Sequence, residues 1–159
     1  MHEKALLMLS KTGPWLPLIV WMAFIFLFST DYFSSEGTGG ILLPILAFLF
    51  GWILPDELLY TIHSLIRKTA HFTEYAILGM LWYRAVNSTL QNWRLKAALW
   101  AFLLSSIYAA TDEFHQTFTM TRDGRVADVM IDSSGALAAV IAVWLYTKVL
   151  AGLRADEHR

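Results

Sequence analysis

From Pro14 to Ser29, and again from Ala70 to Val86, Leu95 to Thr111 and Ala127 to Leu150, the chain is written in apolar blocks close to the length that crosses a bilayer. A helix needs about 17–25 predominantly apolar residues to traverse the hydrocarbon core. Four such blocks leave few alternatives. Backbone polar groups in lipid must be satisfied within the segment, so each block is expected to be a helix. Composition agrees: 57% of the 159 residues are hydrophobic and 16% charged, where soluble domains carry about a quarter. The expectation is an all-α integral membrane protein.

The charges set its orientation. With four spans, Lys4, Lys11, Arg84, Arg94, Lys96, Lys148, Arg154 and Arg159 share one face, eight basic residues against four (Arg67, Lys68, Arg122 and Arg125) opposite. Counting 41–54 ("LLPILAFLFGWIL" and its neighbours) as a fifth span would level the split at six and six. Basic residues favour the cytoplasmic side, so four spans with both termini cytoplasmic is the better topology. The lysines before the first apolar run resemble those of a signal peptide, but "FSTDYFSS" is a poor cleavage site, and an uncleaved span is expected.

Residues 31–69 then form an outer excursion. "GTGG" reads as a flexible turn, and the 41–54 run, with Pro44, Gly51 and Pro55, as re-entrant or interfacial. In "DELLYTIHSLIRK", Leu58, Leu59, Ile62, Leu65 and Ile66 fall on one helical face. Asp56 and Glu57 sit in the first turn and Arg67 and Lys68 in the last, as the helix dipole favours. This predicts an outer-face amphipathic helix that leads directly into the second span, so that 41–68 as a whole stays on the outer side. Small residues (Gly79, Ser105, Ser106 and the SSGA run with Ala138 and Ala139) offer close-packing faces. One domain, 1–159, is expected.

Under this topology the unusual polar residues fall at one depth. Lys68, His71 and Glu74 open the second span. Asp112, Glu113, His115 and Gln116 end the third, Arg122 and Arg125 lie in the outer loop, and Asp128 and Asp132 open the fourth. Lys68, His71 and Tyr75 are spaced to share a helix face, as are Asp112 with His115 or Gln116, and Asp128 with Asp132. Asp132 should lie about a turn below the interface, where a bare carboxylate costs a few kcal/mol. It needs a partner, and Lys68, His71, Arg122 and Arg125 are the candidates.

Three uses of the cluster compete. It could be a clasp of ion pairs that ties helix ends together. It could be an acid–base site, since two histidines stand beside several carboxylates. Or it could hold a metal, because His71-x-x-Glu74 and Asp112-x-x-His115 resemble, in reverse and direct order, the one-turn carboxylate/histidine pairs of helical metal sites. Four cations on the same face argue against a dense metal cage and suit an anionic head group instead. Other chemistries are absent from the sequence. A net charge of −1 with no basic arm gives nucleic acid no footing. The lack of cysteine removes disulfides, thiolate ligands and a cysteine nucleophile. There is no GxSxG, HExxH, Walker or dinucleotide motif. Ser105, Ser106, Ser133 and Ser134 suit packing better than nucleophilic attack.

"RKTAHFTEYAILG", "TDEFHQTFTMTRDGRVADVMIDSSGA" and "FSSEG" carry a resemblance to the VanZ-like family of bacterial membrane proteins. The order is that family's: basic-x-x-His-Phe-x-Glu-Tyr, Asp-Glu-x-x-Gln, an arginine, then an aspartate and a small-residue run. Glu36 departs from an expected glutamine, and "TMTRDG" lacks the proline-glycine expected before the arginine. The resemblance implies functional roles for Lys68, His71, Glu74, Asp112, Glu113, Gln116, Arg122, Asp128 and Asp132, and a link to low-level teicoplanin resistance.

The combined expectation is a multi-pass protein of the bacterial cytoplasmic membrane whose polar pocket opens outward. It would bind or alter an amphiphilic, anionic ligand such as a lipoglycopeptide or lipid-linked envelope precursor, with membrane lipids as its other partners. The rivals are an intramembrane acid–base enzyme and a scaffold. His71, Glu74, Asp112, Glu113 and Asp132 are the candidate catalytic groups. Lys68, His115, Gln116, Arg122, Arg125 and Asp128 are the candidate ligand contacts. No cofactor or resident metal is expected.

Overall fold

A computed structural model describes residues 13–30, 35–90, 94–118 and 124–156. These form five helices and, among the described residues, no strand: α1 (Trp15–Phe28), α2 (Ser35–Phe50), α3 (Asp56–Leu90), α4 (Arg94–Gln116) and α5 (Val126–Asp156). Of the basic residues that set the expected orientation and site, Lys4, Lys11, Arg122 and Arg159 lie outside the described residues.

The expected amphipathic stretch and second span are one helix. Nothing in the sequence interrupts α3, because it holds no proline and its first glycine is Gly79. Its thirty-five residues extend about 52 Å at 1.5 Å per residue, more than the ~40–45 Å of a bilayer with its head groups. The reading of "GTGG" as a turn needs correction. Residues 37–40 lie within α2, whose helix runs from Ser35 through Pro44 to Phe50. Glycine in a helix costs up to ~1 kcal/mol, which lowers stability without stopping the helix.

Helices α3, α4 and α5 pack mutually, with the most extensive contact between α3 and α5, while α1 and α2 each lie on α3. Close approach of α3 and α5 depends on two glycines. A Cβ on Gly79 would sit 2.9 Å from the Ala136 carbonyl oxygen. One on Gly135 would collide with the Phe72 carbonyl oxygen and lie 3.0 Å from its carbon. The expected small-residue face is therefore real at Gly79, Ser105, Gly135 and Ala136, all buried, whereas Ala138 faces outward. Leu18 and Ile25 of α1 join Tyr75, Leu78, Ala85 and Ala109 in one core cluster. Tyr83, Val86, Ala97, Ala98, Ala101 and Val140 form a second.

The exterior is apolar. Leu95, Leu99, Leu103 and Ile107 on α4, Leu16, Ile19 and Phe24 on α1, Phe48 on α2 and Trp52 just after it are all exposed. Within α5, Val126–Val149 is long and apolar enough to cross a membrane, while the apolar helices Trp15–Phe28 and Gly40–Phe50 are shorter.

Candidate functional site

Four chain segments meet at one end of the bundle: the C-terminus of α1, His71–Tyr75 of α3, the last two turns of α4 and the first two of α5. Their side chains form two distinct arrangements.

The first is a closed hydrogen-bonded clasp. Ser29, at the C-cap of α1, donates its hydroxyl to both oxygens of Asp112, at 2.6 and 2.7 Å. Gln116 Nε2, one helical turn beyond Asp112, donates to Asp112 Oδ2 at 3.1 Å and to Ser29 Oγ at 3.3 Å. All three side chains are buried. Trp21 Nε1 donates to the Glu74 carbonyl at 3.0 Å, and the Tyr108 hydroxyl to the Met22 carbonyl at 2.7 Å. Together these tie α1 to α3 and α4. Glu113 makes a second tie by accepting the backbone N–H of Arg125 at 2.6 Å. A carboxylate there satisfies an orphan donor and complements the dipole at the start of α5. Gly124 permits this approach, since a Cβ there would strike the Thr117 side chain and lie 2.8 Å from the Glu113 carbonyl oxygen.

The second arrangement is open. Asp132 is 1% exposed, and neither of its oxygens has a hydrogen-bond partner among the described residues. His71, whose side chain is 18% exposed, places Nδ1 3.6 Å from Asp132 Oδ1. A charge-assisted hydrogen bond would be ~2.7–2.9 Å, so the two form an ion-pair contact without closing on each other. Asp112, Glu113, Asp128 and Glu74 all lie within electrostatic reach of Asp132. Tyr75, fully buried, turns its hydroxyl toward Asp112 and Asp132.

Most of the expected site residues are thus brought together: His71, Glu74, Asp112, Glu113, Gln116, Asp128 and Asp132. Of the four partners considered for Asp132, His71 stands beside it. Lys68 and Arg125 are exposed, and Arg125 reaches the cluster through its backbone rather than its guanidinium. His115 departs as well, because its ring packs on Phe26 with centroids 4.9 Å apart. Among the described residues no three His, Asp or Glu side chains converge as metal donors would. Sequence reasoning missed Ser29, Trp21 and Tyr108. Ser29 had one legible signal, a small hydroxyl at the polar end of an apolar helix, but its bond to a residue 83 positions away had none.

An all-helical bundle with close-packed glycines, an apolar exterior and a polar centre built by four chain segments is the class of protein so defined. The VanZ/LLP1 family model matches residues 14–147, and the chain belongs to that family. No curated protein and no solved structure matches it.

Proposed function

We propose that this VanZ-family protein crosses the bacterial cytoplasmic membrane four times, near 14–29, 70–86, 95–111 and 127–150, with both termini cytoplasmic. On this topology the polar centre opens outward and binds, or acts on, the head group of an amphiphile. Candidate ligands are lipoglycopeptides and lipid-linked envelope precursors, and teicoplanin-type resistance is one phenotype of such binding. The carrying observation is the His71–Asp132 contact: a partly exposed imidazole backed by a carboxylate that is 1% exposed and not hydrogen-bonded among the described residues. A purely structural clasp would close this pair, as Ser29 and Gln116 close on Asp112. The exposed Lys68 and Arg125 flank the centre on its outer side and suit an anionic portion of the ligand.

The same pair supports a second reading, acid–base catalysis on a lipid substrate with His71 as the base and Asp132 orienting it. The two readings separate by experiment. Teicoplanin susceptibility and teicoplanin binding are measured for the wild type, His71→Gln and the double variant Lys68→Ala/Arg125→Ala. A binder keeps its ligand in His71→Gln and loses it in the double variant. A catalyst keeps binding in His71→Gln and loses the phenotype. No phenotype and no binding in the wild type removes the glycopeptide link. For topology, single cysteines at positions 68 and 125 of this cysteine-free chain should react with an impermeant maleimide in intact cells. A cysteine at position 96 should react only after the membrane is opened, and the reverse pattern overturns the orientation.

A further inference from the structure

The charge at the bottom of the centre is opposite in sign to the charge at its rim. Along α3, Lys68 is followed one turn deeper by His71 and two turns deeper by Tyr75. Arg125 immediately precedes α5, along which Asp128 and then Asp132 follow. Lys68 and Arg125 are exposed, while Tyr75 and Asp132 are 0% and 1% exposed. Helical spacing therefore sets cations on the outer rung and a carboxylate about 10 Å further in.

We propose that Asp132 and Tyr75 form a subsite for a protonated amine carried by the ligand, which rests on the reading above that this centre binds an amphiphile. The inventory of donors and acceptors decides its chemistry. An ionised carboxylate offers acceptors only, and an ammonium offers three donors and no acceptor. The two Asp132 oxygens have no hydrogen-bond partner among the described residues, and the buried Tyr75 hydroxyl turns toward Asp112 and Asp132. Asp112 cannot serve in their place, because Ser29 and Gln116 already occupy its oxygens. His71 stands 3.6 Å off, too far to donate a strong hydrogen bond. A phosphate or carboxylate placed here would face Asp132 with Asp112, Glu113, Asp128 and Glu74 behind it. An ammonium is drawn by all five.

The test uses the full chain in a nonionic detergent and reads thermal stabilisation and binding with three probes: dodecylammonium, dodecyl phosphate and ethylammonium. Dodecylammonium should stabilise the wild type. Its affinity should fall about tenfold or more in Asp132→Asn, the loss expected for a hydrogen bond to a charged group. Tyr75→Phe should cost a smaller factor, and it keeps the proposal testable should Asp132→Asn fail to fold. Ethylammonium binding as well would mean that the head alone is recognised, while a requirement for the chain would mean a membrane amphiphile. Either result supports the amine subsite. Unchanged dodecylammonium affinity in both variants overturns it. Binding of dodecyl phosphate alone overturns the amine subsite and leaves the amphiphile-binding reading standing, and binding of neither long-chain probe removes both.

Discussion

Replacing Gly135 with alanine tests the packing that brings His71 and Asp132 together. The added Cβ would collide with the carbonyl oxygen of Phe72, with that residue's carbonyl carbon at 3.0 Å and Cα at 3.2 Å. All three are backbone atoms, so no side-chain rotation relieves the clash, and α3 and α5 must separate. Overpacking of this kind costs about 1–3 kcal/mol. At ~2–4 °C per kcal/mol for a chain of this size, the midpoint should fall by about 2–12 °C. The assay is thermal unfolding of purified protein in one detergent. Gly40→Ala is the internal control, because nothing lies within 4 Å of its Cβ position. Alanine there should be neutral or stabilise by up to ~1 kcal/mol through helix propensity. Gly79→Ala should fall between, since its Cβ would sit 2.9 Å from the Ala136 carbonyl oxygen. Equal midpoints for Gly135→Ala and Gly40→Ala would refute the close approach of α3 and α5.

Three further outcomes follow from the same geometry. Ser29→Ala removes a short hydrogen bond shared between both oxygens of a carboxylate; it should cost about 1.5–3 kcal/mol, read as a lower midpoint, and speed proteolysis next to α1. Glu113→Ala leaves the Arg125 backbone N–H without its acceptor and should cost about 1–2 kcal/mol, typical of a lost N-terminal cap. Glu113→Gln, which keeps an acceptor oxygen, should recover much of that loss. Lys68→Ala should leave the midpoint within ~0.5 kcal/mol of wild type, as an exposed substitution does, while weakening the binding of an anionic amphiphile.

Much of this arrangement is legible in the chain because helical periodicity and apolar block length are local properties. They place both ends of α1 and the starts of α4 and α5 to within a residue, while α4 and α5 run on past the expected ends to Gln116 and Asp156, and they gather the ionisable groups at one end of the bundle. They do not fix the rotation of each helix about its axis. Lys68, His71 and Tyr75 share a face by spacing, yet the face turns so that Tyr75 is buried and Lys68 exposed. His115 and Gln116 were equal candidates to accompany Asp112, and only Gln116 does; His115 goes to Phe26. Pairings such as Ser29 with Asp112 span most of the chain and have no local signature. The "GTGG" stretch misleads in the other direction. Its glycines permit a turn without requiring one, and the helix of the apolar run that follows extends through them.

The central claim is that Asp112 belongs to the framework and Asp132 to the working site. The most direct measurement compares the thermal midpoints of Asp112→Ala and Asp132→Asn with that of the wild type, in one detergent at one pH. Asp112→Ala strands the buried Ser29 and Gln116 groups and should cost at least ~2 kcal/mol, or about 4–8 °C. Asp132→Asn keeps the shape of a buried carboxyl that makes no hydrogen bond among the described residues; its midpoint should stay level or rise, as happens where a site gives up stability for function. A fall in Asp132→Asn as large as that in Asp112→Ala would mean that the His71–Asp132 contact is structural, and would contradict the account.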